Sequence, residues 1–372
     1  MRLLAIYSTD QVLGGGEVSF SLSLELIRRE GWNVLALIPG DGPLASYLRT
    51  RQIQYQIVNM ETMRRLSGLW ALMRPRSDWL QIASRYGPNL IHCNSVRAAL
   101  YGQALGHKLG IPTILSARKT ETDGWIDYFL MLRLDAILCI SEAVRQRFPV
   151  VLGRKKLKVV YNAVDLALFQ AVSPKAQQLR RQWQAGSPDY LAGVVGRLSP
   201  VKGQQRLILA APRILHEVPQ TRFVFIGSED GCYPGFQEQL RAQIRLMGLE
   251  ERFVFAGFQE DIVSAYHALD LVLFPTSSEG FGRVIIEAGA ARKALITSDI
   301  DVVREVLSPS LSDLMVPLHD TEALAGRTID LLRHPDLRMQ IARRLHEHVR
   351  SHFGLEAHRD QLLAVYREVM AY

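Results

Sequence analysis

The chain has 372 residues, 48% of them hydrophobic and 22% charged, with a formal net charge of +7. That length exceeds what one core usually serves, so two domains are expected, and the apolar content is enough to fill both. No apolar run approaches the roughly 18 residues of a membrane span, and the opening Met-Arg-Leu-Leu-Ala-Ile-Tyr is too short for a signal peptide.

That opening reads instead as a first buried strand. Strand-like runs follow at 3–7, 33–38, 90–93, 113–115, 136–140 and 158–160, with helical or loop stretches between them. A second series stands at 191–195, 222–226, 252–256, 271–274, 294–297 and 314–316. Short apolar, β-branched runs alternating with helices predict parallel sheets covered on both faces. The junction is expected within 163–190, where Ser173-Pro174 and Gly186-Ser187-Pro188 punctuate a polar stretch. From Thr321 onward the pattern is helical to the end.

Charge is unevenly spread. Residues 1–162 hold 21 Lys and Arg against 12 Asp and Glu, a balance of +9, and the remainder is −2. Much of the excess sits in 63–76, with Arg64, Arg65, Arg74 and Arg76 interleaved with Leu, Trp and Met, and in Arg154-Lys155-Lys156-Leu-Lys158. Such interleaving suits an anionic bilayer, and equally a solvated helix face packed on a core. No nucleic-acid motif accompanies it. Three scattered cysteines, Cys93, Cys139 and Cys232, lack metal spacing, and the first two read as small core hydrophobes. A cytoplasmic setting fits best.

Two constellations carry the chemistry. In Pro275-Thr-Ser-Ser-Glu279-Gly-Phe281-Gly282-Arg283-Val-Ile-Ile-Glu287, a glycine turn after a buried strand separates two acids eight positions apart. Glu279 falls on the strand-to-helix loop and Glu287 within the helix that follows. Each carboxylate can accept two hydroxyl hydrogen bonds, and the glycines let backbone N–H groups approach a phosphate closely. In Gly196-Arg197-Leu-Ser-Pro-Val-Lys202-Gly203, two cations leave a second glycine turn five residues apart. Both can converge on one anion at the C-terminal edge of a parallel sheet, where ligands of open α/β folds collect. An arginine fork beside a compact lysine charge suits a diphosphate.

These segments resemble the retaining, nucleotide-sugar-dependent glycosyltransferases of family 4, with the GT-B fold. The resemblance extends to Gly14-Gly15-Gly16-Glu17, similar to that family's glycine turn after the first strand, and to Asn162-Ala163-Val164-Asp165 through Phe169 at the domain junction. It implies two Rossmann-like domains facing a central cleft: an acceptor-side domain over 1–165, a donor domain over 190–353, and a final helix over 354–372 that crosses back to the first. It implies sugar transfer from a UDP- or GDP-linked donor to a glycan or lipid-linked acceptor, as in the making of cell-envelope polysaccharide, with no other cofactor. Arg197 and Lys202 would stabilise the leaving diphosphate in place of a metal, with Glu279 as third catalytic residue on the donor sugar's hydroxyls. Phe281, Gly282 and Arg283 would hold that sugar through their backbone, Glu287 the ribose, and Gly14, Gly15 and Gly16 would let the first domain approach the diphosphate.

The pattern departs from the family at two places. Members often carry His-x-His after the strand that ends here at Ile91; here the run is His92-Cys93-Asn94, so Asn94 stands where the second His belongs and His92 is the candidate to replace it. Arg118 and Lys119, after the strand at 113–115, are candidates for an anionic acceptor or the donor phosphate. A Gly-Gly often found near Asp299–Asp301 is missing, and Asp299-Ile-Asp301 matches no metal motif. Two other classes compete. A nicotinamide oxidoreductase would need a third glycine where Ser19 stands. A catalytically silent nucleotide-sugar or glycan-binding protein on the same fold would keep the four charged donor-site residues, as this chain does.

Overall fold

A computed structural model describes residues 1–11, 14–60, 76–149, 153–170 and 174–371. The chain divides into two compact units, 1–163 with 355–372, and 164–354. The basic segment 63–76 lies outside the described residues except for Arg76.

The N-terminal unit is built on seven parallel strands, β1 (Arg2–Ile6), β2 (Asn33–Ile38), β3 (Gln54–Ile57), β4 (Leu90–Cys93), β5 (Thr113–Ala117), β6 (Ala136–Cys139) and β7 (Leu157–Val159), in the order 3-2-1-4-5-6-7. The central strands are apolar along their length because helices cover both faces: Leu3, Ala5, Leu90, Ile114 and Ala136 all lie in one buried core. The last helix, Leu355–Met370, joins that core through Leu362, Leu363, Val365, Tyr366 and Val369. His358 pins it further, one ring nitrogen 2.8 Å from Ser23 Oγ and the other 2.7 Å from the Tyr161 carbonyl.

The second unit carries six parallel strands, β8 (Tyr190–Val195), β9 (Thr221–Ile226), β10 (Phe253–Gly257), β11 (Leu271–Phe274), β12 (Ala294–Ser298) and β13 (Met315–Val316), in the order 10-9-8-11-12-13. Both sheets are doubly wound and reverse direction once, between β1 and β4 in the first and between β8 and β11 in the second. The crevice outside the strand ends at such a reversal is where open α/β sheets bind ligands.

One strand was not anticipated: β3, Gln-Tyr-Gln-Ile, is an edge strand with three of four residues exposed, so it shows no apolar run. Within the stretch where the junction is expected, 164–189 is part of the second unit. Its helix Lys175–Gln182 is anchored by Arg180, which donates to the Ala268 carbonyl at 2.8 Å, the Asp270 carboxylate at 2.7 Å and the Asp189 carbonyl at 2.7 Å. Trp183 just beyond it is 2% exposed.

Candidate active site

The two charged motifs of the second unit lie at the exits of β8 and β11, the strands flanking its reversal. They are stitched together by main chain. The Val201 carbonyl accepts from Ser277 N–H at 2.8 Å and from Thr276 Oγ1 at 2.9 Å. Gly203 sits at φ +74°, and a Cβ there would overlap the Pro275 carbonyl, so only glycine lets the turn lie this close. Gly203 also begins the helix Gln204–Glu217, whose first residue sends Gln204 Nε2 back to the Arg197 carbonyl at 3.0 Å.

This stitching delivers Lys202 to Glu279. Their side chains form an ion pair across 77 residues of sequence, 17% and 15% exposed. Three residues past Glu279, Gly282 (φ +86°) caps the helix Arg283–Ala290. Arg283 pairs with Glu287 one turn along, Nε to Oε1 at 3.0 Å and Nη2 to Oε1 at 2.8 Å. The other carboxylate oxygen, Oε2, accepts from Tyr266 at 2.9 Å. Burial and the neighbouring Glu287 carboxylate hold the Tyr266 hydroxyl well above its ordinary pKa, so it stays a donor. Oε1 takes both Arg283 contacts, so the lone pair that remains for a ligand hydroxyl is on Oε2. Phe281 is buried and packs edge-on against Phe353 at 5.6 Å between ring centroids.

Arg197 does not share the Lys202 pair. Its guanidinium, half exposed, donates to Asp230 Oδ2 at 2.8 Å. Asp230 is itself fixed: Oδ1 accepts from Cys232 N–H at 3.1 Å, and its own N–H donates to the Leu198 carbonyl at 3.1 Å. Leu198 N–H in turn donates to the Ser228 carbonyl at 2.9 Å, strapping the β9 loop to the β8 turn. The anion on which the sequence has both cations converge is a ligand's; within the chain each cation meets an acid of its own, and Asp230 and Tyr266 are additions to the set. An acid three residues past Gly227, in the loop leaving β9, was the only sequence signal for Asp230. Asp299 and Asp301 both pair with Arg304, at 2.6 and 2.9 Å. Among the described residues no group of three or more His, Cys, Asp or Glu stands where it could hold a metal ion.

In the N-terminal unit the helix Gly15–Arg29 starts at the glycine turn, with Gly14 extended before it. Gly16 packs closely on Arg118, whose Cδ would stand 3.3 Å from a Cβ there. Arg118 thus lies along the turn, its guanidinium 6.0 Å from the Phe20 ring and 3.4 Å from Asn162 Oδ1. Asn162, from the junction motif, was quoted in the sequence without a role, and its contact with Arg118 supplies one. Lys119 is exposed, and its carbonyl accepts from Arg147 at 3.2 Å. Asn94 follows β4 between the exits of β1 and β5; it is 4% exposed, and its Oδ1 has no hydrogen-bond partner among the described residues.

His92 is not a stand-in for the missing histidine. It is 1% exposed, with Nδ1 2.6 Å from the Tyr366 hydroxyl and Nε2 2.8 Å from Ser116 Oγ. Both nitrogens are spent, Nδ1 on holding the final helix to the sheet and Nε2 on the neighbouring strand β5. Burial, aided by the Arg118 and His358 charges, pushes its pKa well below the usual histidine value, so the ring is neutral and structural.

The fold and motifs agree with the comparisons. Residues 13–168 match the model of Glycosyltransferase Family 4, and residues 175–348 match that of Glycosyl transferases group 1. Among characterised relatives, the lipopolysaccharide core biosynthesis mannosyltransferase LpcC of Rhizobium leguminosarum bv. viciae is 26% identical over 308 residues, covering 80% of this chain and 84% of its own. The alpha-D-kanosaminyltransferase of Streptomyces kanamyceticus is 25% identical over 325 residues, 81% of each chain. Anabaena Alr3699/HepE, crystallised with UDP and glucose, superposes with a TM-score of 0.85 at 22% identity, over 98% of this chain and 99% of that one. Two doubly wound units of matching strand order, the charged turns at the second unit's reversal and two family models that together span 13–168 and 175–348 lead to one conclusion: the chain belongs to the family 4 glycosyltransferases of the GT-B fold.

Proposed function

We propose that this glycosyltransferase moves a sugar from a UDP- or GDP-linked donor to a glycan or lipid-linked acceptor on the cytoplasmic side of the membrane, with retention of configuration and without a metal. The observation that carries the reading is the union of two distant motifs at one strand reversal, where Lys202 meets Glu279 and the helix behind holds Glu287. In this scheme Arg197 and Lys202 stabilise the charge that develops on the departing diphosphate, the kind of electrostatic help that often dominates catalysis. Glu279 accepts from sugar hydroxyls once Lys202 turns to phosphate, and Glu287 accepts from the ribose. The backbone of Phe281, Gly282 and Arg283 lines the sugar side, and Gly14, Gly15 and Gly16 with Arg118, Lys119 and Asn94 serve the acceptor-side unit. The mannosyltransferase and UDP-bound neighbours support a nucleotide-sugar donor and an envelope glycan, while nothing favours the catalytically silent alternative.

A panel of UDP- and GDP-sugars tests this. The donor should raise the melting temperature by mass action, release nucleoside diphosphate in step with glycosylated acceptor, and do so in EDTA. Proton NMR of the product should show the donor's anomeric configuration. Turnover that needs an added divalent ion, or an inverted product, would remove those parts of the reading, and no response to any donor would remove it whole.

A further inference from the structure

Tyr266 is fully buried, and its hydroxyl donates to Glu287 Oε2 at 2.9 Å. A phenylalanine would fill the same space without desolvating a hydroxyl, so packing alone does not account for the residue. Its helix, Ile262–Ala268, is held at both ends. Asp261 caps the first turn, Oδ1 accepting from Ser264 N–H at 3.0 Å and Oδ2 from Ser264 Oγ at 2.7 Å. At the far end Lys293 Nζ donates to the carbonyls of His267 at 3.0 Å and Leu269 at 2.7 Å. His267 Nε2 stands 2.9 Å from the Phe169 carbonyl, and the Phe169 ring, last in the junction motif, packs edge-on against Tyr266 with centroids 6.0 Å apart. With helix and ring both fixed, so is the place of the hydroxyl.

That place sets what Glu287 can offer a ligand. Arg283 takes Oε1, with Nε at 3.0 Å and Nη2 at 2.8 Å, and Tyr266 takes one lone pair of Oε2. The acceptor position left over is the second lone pair of Oε2, whose direction follows from where Tyr266 stands. The carboxylate is 13% exposed, so water gives it little freedom to turn. A carboxylate free to rotate presents both oxygens to a vicinal diol. This one presents a single oxygen with a single free lone pair.

We propose that Tyr266 is a positioning residue for donor binding, aiming Glu287 Oε2 at one of the two ribose hydroxyls, so that the site weighs O2′ and O3′ unequally. Glu287 binds ribose in the function proposed above, on which this rests; Tyr266 decides how.

Calorimetry of the full chain with UDP and with GDP, each beside its 2′-deoxy and 3′-deoxy forms, tests this. The wild-type chain should lose at least about tenfold in affinity for one deoxy form and less than about threefold for the other, since a hydrogen bond to a charged group is at stake for only one hydroxyl. Tyr266→Phe should weaken the parent nucleotide about tenfold and leave the sensitive deoxy form unchanged, so that the preference collapses. A merely structural tyrosine would weaken all three forms alike. Urea unfolding fixes the folded fraction of the variant, and the wild-type comparison stands without it. Glu287→Ala should also abolish the preference. No binding of either nucleotide, no wild-type loss for either deoxy form, or a preference that survives Glu287→Ala would overturn the ribose contact and this proposal with it. Equal wild-type losses for both deoxy forms, equal weakening of all forms by Tyr266→Phe, or an unchanged preference in that variant would overturn the role of Tyr266 alone.

Discussion

Removing Lys202 separates what the Lys202–Glu279 pair does for the fold from what it does for the reaction. In the structure the two groups neutralise each other at about one-sixth exposure. Lys202→Ala therefore strands a mostly desolvated carboxylate. Breaking a fully buried pair costs roughly 3–5 kcal/mol; with this residual exposure, water recovers part of it, and about 1–3 kcal/mol is expected. Turnover should fall further, by roughly two to three powers of ten, because one donor to the departing diphosphate is gone. The double variant Lys202→Ala/Glu279→Gln should regain most of the stability, since no charge is left unpaired, while turnover stays low. Urea unfolding gives the first quantity and nucleoside diphosphate release at saturating donor gives the second. If Lys202→Ala turns over near the wild-type rate, or if the double variant restores turnover along with stability, the pair is structural and the assignment to phosphate is wrong.

Asp230→Asn should lower kcat more than it raises KM, because Arg197 keeps its charge and loses the anchored carboxylate that aims it; a fall matching Arg197→Ala in both constants would mean the turn has collapsed, which circular dichroism checks. Glu287→Ala should chiefly weaken free nucleoside diphosphate, and Glu279→Ala should leave that affinity intact while sugar transfer fails; equal losses by calorimetry would count against dividing the roles. For His92, burial lowers the folded pKa below the unfolded value near 6.5. The unfolded chain thus takes up a proton first, so stability is complete above about pH 6.5 and declines below it, by up to about 1.4 kcal/mol per pH unit. His92→Gln should remove about one proton from the measured pH slope, and an unchanged slope would place the coupling on another histidine.

How far these residues could be read beforehand follows from where each one's partners lie. Leu271–Phe274 is buried at every position, so its composition announces a central strand. Gln54–Ile57 at the sheet edge has no such constraint and is invisible to pattern. The charged turns were legible because glycine, cation and acid recur at short spacing after strands. Their wiring was not: Lys202 reaches Glu279 only because Gly203 lets Pro275 approach, and Arg197 is held by an acid on a third loop. His92 misled for the same reason, since what occupies its ring is Tyr366, 274 residues away. In each case sequence spacing located the reactive residue type, and long-range packing decided which partner it meets. These pairs make that decision consequential: a diphosphate entering the second unit would compete with Glu279 for Lys202, while Asp230, pinned through Oδ1 and its own N–H, keeps its hold on Arg197. The first cation is then a charge to be released and the second a charge kept aimed, which is why Lys202 and Arg197 should respond differently when their acids are removed.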